Sequence, residues 1–293
     1  MHPRHFARTA PDRAAIIMAA DGHAISYAAL ETAANRGAQL FRSLGIATGD
    51  TIAIWLKNCP EYYPIYWAAQ RAGLYICPIS TQLTAEEAAY ILTDSGSLLL
   101  ITHAEVPAAA ALVRARAGLA PLVETVFDIG SGLDGARSWS SAVKSQSAEP
   151  IADETAGYHL VYSSGTTGRP KGIRLPLSGE AADAPHMLAD RISGRYEVGE
   201  GSVMLSPAPL YHTAPLVYGM AAHRLGASLV IMERFDAEAV LRLIERYRVT
   251  FTQMVPTMFV RLLALPEDVR SRYDLSSLQK IVHAAAPCPV EIK

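Results

Sequence analysis

The 293-residue chain is half hydrophobic and 18% charged, which excludes a disordered polypeptide and leaves ample apolar material to bury. Its 26 basic and 28 acidic residues give a net charge of −2 with no long basic run, so neither nucleic acid nor an anionic membrane is implied as a partner. Three scattered cysteines, Cys59, Cys77 and Cys288, lack CxxC spacing and fit a reducing compartment better than a disulfide or metal framework. Beyond roughly 250 residues a single core tends to split, so two lobes are expected. The segment Met1–Phe6 lacks the apolar core of a signal peptide. The longest apolar region, Leu216–Met232, is interrupted by His223 and Arg224 and falls short of the roughly 20 clean residues of a membrane span. The expectation is a soluble, cytoplasmic protein.

In chain order, short apolar runs alternate with helical patterns, the rhythm of βα units and a largely parallel sheet. Strands are predicted at Ala14–Ile17, Thr51–Trp55, Leu98–Thr102, Val123–Phe127, Val203–Ser206, Ser228–Met232, Thr250–Gln253 and Lys280–His283. Ser26 is placed to cap a helix from Tyr27 to about Leu44, ended by Gly45. Tyr62, Tyr63, Tyr66 and Trp67 form a helical aromatic cluster suited to a core or an interface. Thr84 followed by Glu87 makes a capping box for a helix reaching about Asp94, with Gly96 beyond its end. Residues 130–150, rich in Ser and Gly, read as a surface connection with a short helix near Trp139. Asp236 is placed to cap a helix whose Val240, Leu241, Leu243, Ile244 and Tyr247 share one buried face. The apolar helix Met258–Leu263 suits core packing better than an acyl pocket, and no internal repeat is present.

The apolar run His159–Tyr162 reads as a strand feeding a Gly-rich loop. Loops at the carboxyl ends of parallel strands are where such sheets bind ligands. Between Ser163 and Gly172 lie three glycines, four hydroxyl residues and one lysine. Gly165 and Gly168 let the backbone turn tightly and present N–H groups that can ring a phosphate. Ser163, Ser164, Thr166 and Thr167 add donors and any of them is able to ligate Mg²⁺, with Thr166 the candidate, while Lys171 offers a point charge to outer phosphates. A plain surface turn is the alternative. The pattern is not a Walker A loop, which ends Gly-Lys-Ser/Thr, whereas here Lys171 precedes Gly172.

The run Tyr162-Ser-Ser-Gly-Thr-Thr-Gly-Arg-Pro-Lys-Gly172 resembles the signature of the adenylate-forming superfamily, the AMP-dependent ligases that include acyl-CoA synthetases, peptide-synthetase adenylation domains and luciferases. Companion segments follow in that family's order: Ile25–Leu30 resembles its early helix start and Ala72–Ile79 its strand running from Ala-Gly to Pro. Leu205–Ala214, with Pro209-Leu210-Tyr211-His212, resembles a segment of the acyl-CoA synthetase branch, and His283–Pro289 resembles the loop beside the adenine pocket. Many members carry glycine where Ala284 and Ala285 stand. The resemblance covers almost the whole chain. It implies an α/β fold of two stacked lobes of largely parallel sheet flanked by helices, with lobe one at about 49–195 and lobe two combining about 11–48 with 196–293. It also implies that Ser163, Ser164, Gly165, Thr166, Thr167, Gly168 and Lys171 bind ATP phosphates, that His212 lines the acyl pocket near the CoA tunnel, and that Ala285, Ala286 and Pro287 flank adenine. By its residues alone His212 reads as a partly buried histidine after a strand, and His223 and His283 default to structural roles.

The implied reaction uses a carboxylic acid, ATP, Mg²⁺ and coenzyme A to make an acyl-adenylate and then an acyl-CoA, with a fatty or other hydrophobic acid as substrate. A carboxylate is already ionised at neutral pH, so the first step needs no general base, only positioning and charge neutralisation. In the family the chain continues with a segment whose glutamate helps hold Mg²⁺, a ribose-binding aspartate, a hinge and a small C-terminal domain with a catalytic lysine. None of these falls within residues 1–293, so the residues that complete the reaction are expected beyond Lys293. The expectation is an N-terminal piece of the large domain, with no catalytic residue assigned within it, that binds nucleotide weakly and is inactive or weakly active in adenylation. Two alternatives stand beside this: a ligase that loads a carrier protein instead of CoA, and a non-catalytic nucleotide-binding scaffold.

Overall fold

The computed structural model describes residues 1–115, 125–130, 132–163, 169–284 and 286–292, without the side chain of Glu291. Lys293, the position past which the completing residues are expected, lies outside the described residues. The chain divides into two compact units, a first comprising Met1–Ala29, Asn58–Pro60 and the chain from Pro185, and a second comprising Leu30–Lys57 and Glu61–Ala184. Each is an α/β arrangement on a six-stranded sheet.

In the first unit the strands run in the order Lys280–His283, Phe251–Met254, Val203–Ser206, Ser228–Ile231, Ala14–Met18 and Ala24–Ser26. All neighbours are parallel except the last pair, which is antiparallel. The inner strands are buried at nearly every position because parallel sheets are covered on both faces. Asp236 caps the helix Ala237–Tyr247 by accepting from the Ala239 N–H at 2.7 Å, as its sequence predicts. Val240, Leu243 and Ile244 of that helix pack on Leu205, Val230 and Met254, joined by Met258 of the helix Pro256–Leu263.

The second unit carries a wholly parallel sheet in the order Arg137–Ser138, Thr125–Asp128, Ser97–Thr102, Thr51–Trp55, Tyr75–Pro78 and Tyr158–His159. Its central strand Thr51–Trp55 is buried at every position. The capping box forms as read, with Thr84 Oγ1 accepting from the Glu87 N–H and the Glu87 carboxylate accepting from the Thr84 N–H. The aromatic helix Tyr62–Arg71 is buried throughout, so its cluster is core, with successive rings packed edge to face. The connection at 130–150 does contain a short helix, Trp139–Lys144, whose Trp139 is buried against Phe41 and Phe127.

Two features depart from the sequence reading. The helix Tyr27–Ser43 belongs from Leu30 onward to the second unit, although the sequence groups 11–48 with 196–293. The contacts responsible are long-range: Arg71 bonds Glu31 and Asn35, and Phe41 packs on Trp139. The run His159–Tyr162 is not one strand. Tyr158–His159 pairs with Tyr75–Ile76 at the sheet edge, Leu160 donates to the Ile76 carbonyl, and the chain then leaves to form an antiparallel hairpin of Val161–Ser163 with Lys171–Ile173. Gly157 makes the approach to the sheet possible, since a Cβ there would lie 2.4 Å from the Leu74 carbonyl oxygen. Among the described residues no helix is long and apolar enough to cross a membrane.

Candidate functional site

The two ends of the Gly-rich motif, Ser163 and Lys171, lie on the two strands of this antiparallel hairpin and not on the parallel sheet. Ser163 and Lys171 are direct cross-strand partners, followed by Tyr162 opposite Gly172 and Val161 opposite Ile173. The first and last of the predicted phosphate-binding residues are therefore brought side by side, both exposed. Ser164, Gly165, Thr166, Thr167 and Gly168 lie outside the described residues, as does Ala285. Among the described residues Lys171 has no ion pair. A cation at that position is available for an anionic ligand. Likewise, among the described residues no group of three His, Cys, Asp or Glu is arranged to hold a metal ion.

The hairpin is moored to its own unit. The Tyr162 hydroxyl donates to Asp94 at 2.6 Å, and the Tyr90 hydroxyl donates to the Pro170 carbonyl at 3.4 Å. The Arg169 guanidinium lies 5.3 Å from the centre of the Tyr90 ring. Further along, Arg174 donates to Thr51 Oγ1 and the Ser95 carbonyl while stacking over Tyr75, whose hydroxyl donates to the Leu175 carbonyl. Burial, reinforced by the bond to Asp94, pushes the Tyr162 phenol above its ordinary pKa, so it remains a donor.

The other predicted residues lie in the first unit. His212 is the N-cap of the helix Thr213–Arg224, makes no side-chain capping bond, and rests against Tyr211 with ring centres 4.6 Å apart. His212 is exposed, where its residues alone suggested partial burial, yet partial desolvation by its surroundings lowers its pKa below the ordinary 6.5. Ala286 and Pro287 are exposed, just beyond the strand Lys280–His283. The segments carrying His212 and Ala286–Pro287 both leave the carboxyl ends of parallel strands, hence the same edge of this sheet. Sequence reasoning missed Asn58, whose buried side chain donates to the Ala208 and Met232 carbonyls and accepts from the Leu210 N–H. It fixes the backbone just ahead of His212, and no local pattern announces it.

The chain matches the family described as AMP-binding enzyme over residues 3–293. It is 32% identical over 303 residues to 4-coumarate–CoA ligase 5 of Oryza sativa subsp. japonica, an alignment covering 100% of this chain and 54% of that protein. It is 31% identical over 268 residues to the long-chain-fatty-acid–CoA ligase FadD13 of Mycobacterium tuberculosis, covering 90% of this chain and 50% of the relative. Among solved structures, the inhibitor-bound N-terminal domain of FACL13 from Mycobacterium tuberculosis superposes with a TM-score of 0.84 at 28% identity, covering 99% of this chain and 70% of that one. The chain spans about half the length of the curated relatives it matches. It belongs to the AMP-binding enzyme family, the adenylate-forming ligases, and has the α/β fold of the N-terminal domain of acyl-CoA synthetases.

Proposed function

We propose that residues 1–293 supply the nucleotide-gripping part of the large domain of an AMP-forming acid–thiol ligase, with the residues that complete the reaction supplied from beyond Lys293. In the reaction a carboxylate oxygen bonds to the α-phosphorus of ATP and the bond to pyrophosphate breaks. The thiol sulfur of coenzyme A then bonds to the acyl carbon, the bond to the adenylate oxygen breaks, and AMP leaves. The observation that carries this reading is the pairing of Ser163 across the hairpin with Lys171, which has no ion pair among the described residues, in a chain of the AMP-binding family. Along this motif the hydroxyl of Ser163 and those of Ser164, Thr166 and Thr167, with the N–H groups of Gly165 and Gly168, donate to phosphate oxygens, and Lys171 offsets the charge that repels an incoming carboxylate. Thr166 is the residue here that would hold Mg²⁺, which when bound would supply further neutralisation of the phosphates. Ala285, Ala286 and Pro287 flank adenine.

We assign His212 to the acyl pocket and the approach of CoA. Its lowered pKa keeps the imidazole neutral at pH 7, as suits a wall that meets apolar acyl chains. The acid is fatty or otherwise hydrophobic; the two relatives act, by their names, on 4-coumarate and on long-chain fatty acids. By themselves these residues bind nucleotide weakly and make acyl-adenylate poorly. The decisive measurement is calorimetric titration of the chain with MgATP beside Lys171→Ala. Binding weakened on the order of tenfold or more, with an unchanged urea midpoint, is expected for loss of a charge-assisted phosphate contact. Equal affinity in the two proteins would remove Lys171 from the site, and robust ATP–pyrophosphate exchange by the chain alone would overturn its dependence on further residues.

A further inference from the structure

The geometry points to a two-point clamp, formed by Tyr162 with Asp94 and by Arg169 and Pro170 with Tyr90, that holds the paired strands bearing Ser163 and Lys171 from one face of a single helix. It rests on the phosphate-binding reading for its purpose but not for its existence. The Gly-rich motif is flanked in sequence by Tyr162–Ser163 on one side and Arg169–Lys171 on the other. Both flanks are tied to the helix Ala85–Asp94, at Tyr90 and Asp94, which are four residues apart and so lie one above the other on the same face.

Asp94 is the sign that the contact is built for something other than the helix. A carboxylate in the last turn faces the negative end of the helix dipole, where a cation is favoured. No basic residue stands in that last turn. Its oxygen accepts from Tyr162 at 2.6 Å, a charge-assisted bond that offsets the unfavourable placement. Gly172 completes the arrangement. Directly across from Tyr162, it lets the ring cross the neighbouring strand, for a Cβ at 172 would lie 2.8 Å from Tyr162 Cζ and 3.1 Å from its hydroxyl oxygen. A glycine at this point of the motif is thereby explained by the ring and not by the phosphate. Tyr162 and Asp94 are positioning residues: they hold Ser163 and Lys171 at a fixed separation and direction, so that this pair need not be ordered when a polyphosphate arrives.

Limited trypsin digestion reads the clamp directly, because the Lys171–Gly172 bond is a cleavage point inside the hairpin whereas Arg169 is shielded by Pro170. Cleavage at that bond, followed by mass spectrometry, tracks the open population of the hairpin. In the 293-residue chain Tyr162→Phe and Asp94→Ala are expected to speed it on the order of tenfold while the urea midpoint hardly moves. Asp94→Asn, which still accepts from Tyr162, restores slow cleavage. Tyr162→Phe and Asp94→Ala cut at the unaltered rate would overturn the clamp. A parallel arm separates its purpose: MgATP should slow cleavage of the unaltered chain, with more ATP needed for half-protection in Tyr162→Phe. If MgATP protects neither protein while the substitutions still open the hairpin, the clamp stands and the phosphate reading falls.

Discussion

One unit buries an arginine as a charge, and the other buries a histidine as a neutral ring. Arg71, fully buried at the end of the helix Tyr62–Arg71, is met by Glu31 at 2.6 Å, Glu154 at 3.5 Å and the Asn35 side-chain oxygen. In the first unit His223 is equally buried, and its Nε2 faces the Ala15 carbonyl at 3.1 Å. Burial drives the His223 pKa down to about 4, against the smaller pull of that carbonyl. A guanidinium cannot shed its proton, so Arg71 is met by acceptors; an imidazole can, so His223 is buried as a neutral ring facing the Ala15 carbonyl. The difference sets what each buried residue is vulnerable to: loss of a partner for Arg71, acid for His223.

The largest effect is expected where the charge is buried. Arg71→Met leaves two carboxylates without their common cation, and breaking such a cluster costs about 3–5 kcal/mol. Urea unfolding measures it, and Arg71→Met combined with Glu31→Gln and Glu154→Gln should recover part of the loss. A single substitution costing under about 1 kcal/mol would mean that the cluster is not the second unit's organising contact.

Acid sharpens the contrast next. A histidine whose folded pKa is depressed takes up its proton first in the unfolded chain, so its stabilising contribution is complete above the ordinary 6.5. That contribution is lost as pH falls from 6.5 toward about 4. The second unit has a counterpart in His159, lowered to about 4 by burial beside the stem of the hairpin. Each contributes up to about 3 kcal/mol of acid-labile stability. Unfolding followed between pH 7 and 4 should steepen accordingly, and His223→Gln should flatten the part due to the first unit. An unchanged slope would show that His223 is charged in the fold.

Which of these features the sequence shows depends on range. The caps at Ser26, Thr84 and Asp236 are legible because a cap is settled within four residues. The strands Thr51–Trp55 and Val203–Ser206 are legible because a strand in a buried parallel sheet is a continuous apolar run. The split at Leu160 is not, since it depends on Tyr158–His159 meeting Tyr75–Ile76 through the close approach at Gly157. The strand Ala24–Ser26 is too short to show any period. Of the candidate site, the motif spacing gives Ser163 and Lys171, and the fold adds what no spacing shows, that they are cross-strand partners. Asp94 and Asn58 act on residues 68 and 150 or more positions away, beyond any local signal.

Asn58 offers the smallest of the three effects and the closest test of how the first unit holds its polar interior. It belongs to a three-residue excursion, Asn58–Pro60, that clusters with the first unit although the chain on either side belongs to the second. Its amide donates to Ala208 at 3.0 Å and Met232 at 2.7 Å, and its oxygen accepts from Leu210 at 2.8 Å. Asn58→Leu keeps the volume and removes all three bonds, leaving buried backbone groups unpaired, for a loss of about 2 kcal/mol in urea unfolding. Asn58→Asp keeps the acceptor for Leu210 but presents a carboxylate to two carbonyls, so it should be no better than leucine. If Asn58→Asp were tolerated, the carbonyls would have other donors and the amide would not be what sets the 208–210 backbone. If both substitutions cost the expected amount, the segment leading to His212 is held by a neutral, partnered amide, the same strategy by which this unit buries His223.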